Sequence, residues 1–146
     1  MLSAAARKTA HLDNVELRNG GLEELPVETN GLDIALCMLV LHHVSDLGRA
    51  FSEIARVLKP GGRLVVLDMT HHDREDYRTA MGHKHLGFDR DGLETLGTEA
   101  GLALSRHSLL PPHPDARGPE LFTAVFRSPI SDRTAQPETV PAPRTG

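Results

Sequence analysis

The stretch Ala55-Arg56-Val57-Leu58-Lys59-Pro60-Gly61-Gly62-Arg63-Leu64-Val65-Val66-Leu67-Asp68 decides the fold. Its first residues close a helical pattern that begins at Asp46. Leu47, Ala50, Phe51, Ile54, Val57 and Leu58 share one face, and Arg49, Glu53 and Arg56 share the other. Ser45 or Asp46 is placed to cap that helix. Pro60 cannot continue it, and the Gly pair lets the chain reverse in minimal length. Arg63 to Asp68 then reads as a strand buried on both faces. Upstream, Leu32-Asp33-Ile34-Ala35-Leu36-Cys37-Met38-Leu39-Val40-Leu41 is another such strand. Strand, helix, tight turn and strand make a βαβ unit with a parallel pair and a right-handed crossover.

Outward from this unit the pattern continues to alternate. Residues 1–12 suit a short helix. Val15 and Leu17 alternate with charged residues as a short strand that stops at Asn19-Gly20-Gly21. Asp73 to Met81 is expected to be helical. Asp89 or Asp91 caps a further helix carrying Leu93, Leu96 and Ala100, with Gly101 as its stop. Leu102 to Leu110 and Glu120 to Arg127 read as the last strands. From 129 to 146 the composition turns to Pro, Thr, Ser, Arg and Glu, the signature of a disordered tail. The expected organisation is therefore an α/β domain over 1–128 and a Pro-rich tail over 129–146.

Bulk properties narrow the function. The 146 residues carry a formal charge of -4 with 16 basic and 20 acidic side chains. That balance argues against a nucleic-acid partner. A single cysteine excludes an internal disulfide and fits a reducing, cytoplasmic setting. No apolar run is long enough for a membrane span, and the N-terminus does not read as a signal peptide.

Taken together, Leu25-Pro26, the run from Leu32 through His42-His43-Val44, and Ala55 to Leu64 resemble the second half of a class I S-adenosylmethionine-dependent methyltransferase. The nearest likeness is to the methyltransferase type 11, quinone-biosynthesis-like enzymes. Met81-Gly82-His83 and Leu86-Gly87-Phe88 look most like members fused to winged-helix ArsR-type regulators. The resemblance covers about residues 1–127. It implies a Rossmann-like sheet of order 3-2-1-4-5-7-6, S-adenosyl-L-methionine as cofactor and a small-molecule methyl acceptor.

Ligands of open parallel sheets sit outside the carboxyl ends of the strands. By resemblance, Cys37 and Met38 line the cofactor pocket after the first buried strand, with His42 at its edge. His42 is either pocket wall or structure, and His43 either stands at the pocket edge as well or caps or packs against the following helix. The Gly20-Gly21-Leu22 loop matches the loop that faces the adenine. Gly21 stands where an Asp is expected, which leaves only backbone contacts there. No catalytic residue is assigned, because methyl transfer from a sulfonium rests mostly on alignment and desolvation. His72, Tyr77, His83 and His85 are candidates for the acceptor pocket.

Two features of the likeness are missing from the sequence. It contains no Asp/Glu-x-Gly-x-Gly-x-Gly loop and no acidic residue after a second strand to hold the ribose. The match therefore begins in mid-fold, and the expected sheet lacks its first two strands. This predicts a long apolar edge at Asp33 to Val40, with self-association or a partner chain to cover it. It also favours a truncated copy with weak or no activity. Nine histidines are many for this length. His71, His72, His83 and His85 could converge as metal ligands in the loop region above the sheet, yet no Cys or Glu stands at a metal-motif spacing. Adjacent histidines on a strand also point apart, so no metal is expected. The alternative function is a ligand-sensing or interaction module associated with a transcriptional regulator.

Overall fold

The computed structural model describes residues 2–130. Its elements are helix α1 (Leu2–Thr9), strand β1 (Leu32–Met38), a 3-10 turn (Leu41–His43), helix α2 (Leu47–Val57) and strand β2 (Leu58–Met69). Helices α3 (Asp76–Met81) and α4 (Arg90–Glu99) and strands β3 (Ala103–Leu109) and β4 (Leu121–Arg127) follow. No helix among the described residues is long and apolar enough to cross a membrane.

The sheet has the order β1-β2-β4-β3. β1 runs parallel to β2, with Leu36 beside Val65 and Met38 beside Leu67. β4 is antiparallel to both β2 and β3. This matches the 4-5-7-6 end of the sheet implied by the resemblance; no counterpart of its strands 1, 2 or 3 joins the sheet among the described residues. The Lys59–Gly62 corner lies inside the extended stretch of β2. The β1 register jumps there from Leu32/Leu58 to Ile34/Arg63, so the corner loops out of the ladder. Gly61 takes φ +75, and a Cβ on Gly62 would stand 2.8 Å from the Lys59 carbonyl. Both positions therefore need glycine.

One face of the sheet is closed. α2 presents Phe51 and Ile54 to Leu64, Val66, Phe122, Ala124 and Phe126, with Ala50 and Val57 also buried, and α4 adds Leu93. Cys37 lies in the same layer. The Asp46 side chain caps α2 through the Arg49 N–H at 2.9 Å, and Asp89 caps α4 through the Gly92 N–H at 2.7 Å. Gly101, at φ +82, follows the end of α4.

The opposite face of β1 is open: Ile34, Leu36 and Met38 are 56, 65 and 62% exposed. β1 is also an edge strand among the described residues, as the sequence predicts.

One expected strand is corrected. Val15 to Arg18 joins no ladder, and Val15 and Leu17 are exposed. A strand is stabilised by its neighbour's hydrogen bonds and cross-strand packing, and no described strand lies beside this segment. α1, likewise, buries none of its residues. Of the 129–146 segment, only Pro129 and Ile130 are described; the expected disorder of the remainder lies outside the described residues.

Candidate functional site at the carboxyl ends of β1 and β2

Two loops rise over the carboxyl ends of β1 and β2, and the polar face of α2 anchors one of them. The Leu25 N–H donates to Glu53 Oε2 at 2.8 Å, and Arg56 Nη2 donates to the Leu25 carbonyl at 3.1 Å. The Asp46 N–H donates to Glu23 Oε1 at 2.7 Å, and Arg49 Nε donates to the Glu23 carbonyl at 2.9 Å. Arg49, Glu53 and Arg56 thus hold residues 23–25 in place rather than only facing water. The Arg56 guanidinium and the Leu25 N–H keep the Glu53 carboxyl well below its usual range, at about 2.

This anchoring places the glycine loop. Gly20, Gly21 and Leu22 line a shallow cleft with Glu23, Val40, His43, Val44 and Ser45. A Cβ on Gly21 would meet nothing within 4 Å, so the cleft is open at that point.

A larger cavity of about 600 Å³ lies on the other side of the Leu39–His43 segment. Leu39, His42, Met69, Tyr77, Met81 and His83 form one wall, and the 110–121 loop with its prolines forms the other. The chain reaches this position through Leu39 in the left-handed region at φ +53. A non-glycine residue there is strained, and such strain gathers at functional sites.

Beneath the turn sits Asp68, 0% exposed at the end of β2. Its Oδ1 lies 2.7 Å from His42 Nδ1 and accepts the Met69 N–H at 2.8 Å, while Oδ2 accepts the Leu41 N–H at 3.1 Å. His42 is itself 4% exposed, and its carbonyl accepts the N–H groups of Lys84 and His85. The His42 ring stands 4.3 Å from that of His43 and 4.2 Å from that of His83. His83 is brought in by the turn after α3, where Gly82 is left-handed at φ +69 and the His83 N–H donates to the Tyr77 carbonyl. Burial, and then the neighbouring His42 and His43, push the His83 imidazole below its usual pKa.

The candidate residues from the sequence separate into four groups. Gly20, Gly21 and Leu22 share the cleft, and His42, Tyr77 and His83 share the large cavity. His72 packs edge-on against Tyr77 at 5.2 Å, and His85 Nε2 donates to the Val44 carbonyl at 2.8 Å. Cys37 is 4% exposed within the core, and Met38 points to the open face of the sheet. Asp68 is the residue that pattern reading passes over. Its signal is a carboxylate inside the otherwise apolar run Leu64 to Met69. The 110–121 wall is also unforeseen, since nothing in its prolines marks it as facing a cavity.

Comparison with known proteins agrees with this architecture. Residues 1–66 match the family model described as "Methyltransferase domain". The chain is 43% identical over 68 residues to the demethylmenaquinone methyltransferase of Staphylococcus aureus strain JH9, covering 47% of this chain and 28% of that protein. It is 35% identical over 116 residues to an uncharacterized 37.1 kDa protein in transposon TN4556 of Streptomyces fradiae, covering 71% of this chain and 34% of that one. The chain thus spans about a third of the length of the curated relatives it matches. Its structure superposes on an S-adenosylmethionine dependent methyltransferase from Mesorhizobium loti with a TM-score of 0.70 at 18% identity, covering 87% of this chain and 76% of that one.

The fold is that of the class I S-adenosylmethionine-dependent methyltransferases. Residues 1–66 are thus similar to a methyltransferase domain, and the cofactor that this similarity implies is S-adenosylmethionine.

Proposed function

We propose that this chain takes part in S-adenosylmethionine-dependent methylation of a small molecule. The observation that carries the reading is the pair of concavities on either side of Leu39–His43, at the strand ends where ligands of such sheets sit. The Gly20–Leu22 cleft takes the adenine end of the cofactor through backbone contacts. The larger cavity takes the acceptor, and its apolar wall of Leu39, Met69, Met81, Leu110 and Leu121 suits a largely apolar molecule. Tyr77, His83 and the nearby His72 and His85 supply the few polar contacts that orient it.

Methyl transfer forms a bond from the acceptor's nucleophilic atom to the sulfonium methyl carbon and breaks the carbon–sulfur bond. The cofactor leaves as the neutral thioether, so alignment and exclusion of water carry most of the rate. The sequence holds no glycine-rich loop for the methionine part, so binding by these residues alone is weak and turnover slow. Calorimetric titration of the chain with S-adenosylhomocysteine tests this. Saturable binding at one equivalent, weakened by Leu22→Asp, supports the reading. No heat at millimolar ligand overturns it.

A second reading has its own observation. The bare β1 edge and the exposed Ile34, Leu36 and Met38 suit a ligand-sensing or interaction module that pairs with itself or a partner chain. Sedimentation at increasing concentration tests it, with Leu36→Lys expected to abolish any self-association. A monomer at all concentrations removes the self-pairing form.

A further inference from the structure

We propose that His42, His43 and His83 form a binding site for a divalent transition-metal ion, Zn²⁺ by ligand chemistry, with one coordination position open to the large cavity. One ligating nitrogen from each imidazole lies within 4.8 Å of the others. The three rings pack with centroids 4.2 to 4.9 Å apart. They come from two separate segments, the 3-10 turn after β1 and the turn after α3, so the convergence is tertiary.

Two independent features point to an ion rather than to ring packing alone. The first is the support behind His42. Its Nδ1 lies 2.7 Å from a carboxylate that itself accepts two backbone N–H groups. Nδ1 therefore donates, and the lone pair of the neutral ring sits on Nε2. A carboxylate–histidine arrangement of this kind orients metal ligands and raises their basicity. The second is His83, which is 7% exposed, yet its buried Nδ1 has no hydrogen-bond partner among the described residues. A buried polar atom without a partner costs about 1–3 kcal/mol, and a metal bond removes that cost.

The ligand spacing is within reach of the ion. Zinc binds imidazole nitrogen at about 2.0–2.1 Å, which sets tetrahedral ligands roughly 3.3 Å apart. The exposed ring of His43 supplies the freedom to close from the observed separation to that value. His42 and His83 both line the cavity, so the fourth position faces it. Three histidines and an open position are the pattern of sites that hold a water or a ligand donor atom. The occupant of that position is then a molecule in the cavity with an oxygen, nitrogen or sulfur donor. The site stands without the methylation reading, because loading is measured in the absence of cofactor.

The test is titration of the full, chelator-treated chain with Co²⁺, read by visible absorption, followed by displacement with Zn²⁺. The expected result is one equivalent bound, with the intense bands of a tetrahedral site. His43→Ala, a change at an exposed residue, is expected to weaken binding about 100-fold or more, and His83→Gln likewise. Asp68→Asn is expected to weaken it about 10–100-fold through loss of the support to His42. His11→Ala, at an exposed histidine outside both the cluster and the cavity, leaves it unchanged. Absence of cobalt bands overturns the proposal. So does binding that survives His43→Ala and His83→Gln together, which marks adventitious uptake by other histidines.

Discussion

His42 Nδ1 lies 2.7 Å from Asp68 Oδ1, and the same carboxylate caps the Leu41 and Met69 N–H groups. One buried side chain thus ties the end of β2 to the turn that separates the two concavities. Asp68→Ala leaves three donors without partners in a dry setting. Each such loss costs about 1–3 kcal/mol, so the variant is expected to lose at least ~2 kcal/mol of stability by urea denaturation. Asp68→Asn keeps one acceptor oxygen and is expected to lose roughly half as much. Equal stability of wild type and Asp68→Ala would show that the carboxylate is not a structural tie.

Gly97→Ala sets two effects against each other. Alanine raises helix propensity by about 1 kcal/mol over glycine in a helix interior. A Cβ there, however, would stand 2.5 and 2.7 Å from two ring carbons of Phe126. Phe126 is 0% exposed and packs edge-on against Phe51 at 5.6 Å, so it has little room to retreat. Overpacking of this kind costs about 1–3 kcal/mol, which exceeds or cancels the propensity gain. The expected outcome is a lower melting temperature; a clear rise would show that α4 can lift away from the sheet.

Cys37 is expected to be inert. Burial, with a smaller contribution from the nearby Asp68 carboxylate, pushes its thiol up to about 11. Little thiolate exists at neutral pH, and reagent cannot reach it through the core. Iodoacetamide at pH 7.5 should leave the native chain unmodified and alkylate it fully in guanidinium. Rapid native labelling would place Cys37 on an accessible surface.

The Glu53 clamp predicts an acid limb of stability. The Glu53 carboxyl is held at about 2 against an unperturbed 4.5 by Arg56, the Leu25 N–H and, more weakly, Arg49. A depressed folded-state value means the stabilisation is complete above about pH 4.5 and disappears as pH falls towards 2. Glu53→Gln removes that contribution. Wild type should therefore lose more melting temperature than Glu53→Gln between these limits, and parallel curves would rule out the clamp.

The sequence carried the architecture through particular residues. The helical spacing of Ala50, Phe51, Ile54 and Val57, stopped by Pro60 and Gly61, fixed α2 and the crossover to β2. Those signals are local and are written in single elements. The Val15–Leu17 alternation was equally clear as a pattern, yet a strand depends on a neighbour, and the pattern does not encode one. The site was legible only in part for the same reason. His42-His43 and His83 were visible as separate residues, but their meeting depends on where α3 ends. The argument that adjacent histidines diverge holds for an extended strand. On a 3-10 turn, successive side chains are about 120° apart, so His42 and His43 can face one site.

The order β1-β2-β4-β3 has a consequence for how the molecule is made. Among the described residues, β3 touches the rest of the sheet only through β4, and β4 is the last strand. The β1–α2–β2 crossover can assemble from nearby sequence, but Ala103–Leu109 has no ladder to join until Leu121–Arg127 has been synthesised and seated between its two neighbours. Phe122 and Phe126 arrive with that strand and complete the core only then. A growing chain, or one clipped in the 110–121 loop so that its final strand departs, holds a half-built sheet and an unfilled interior.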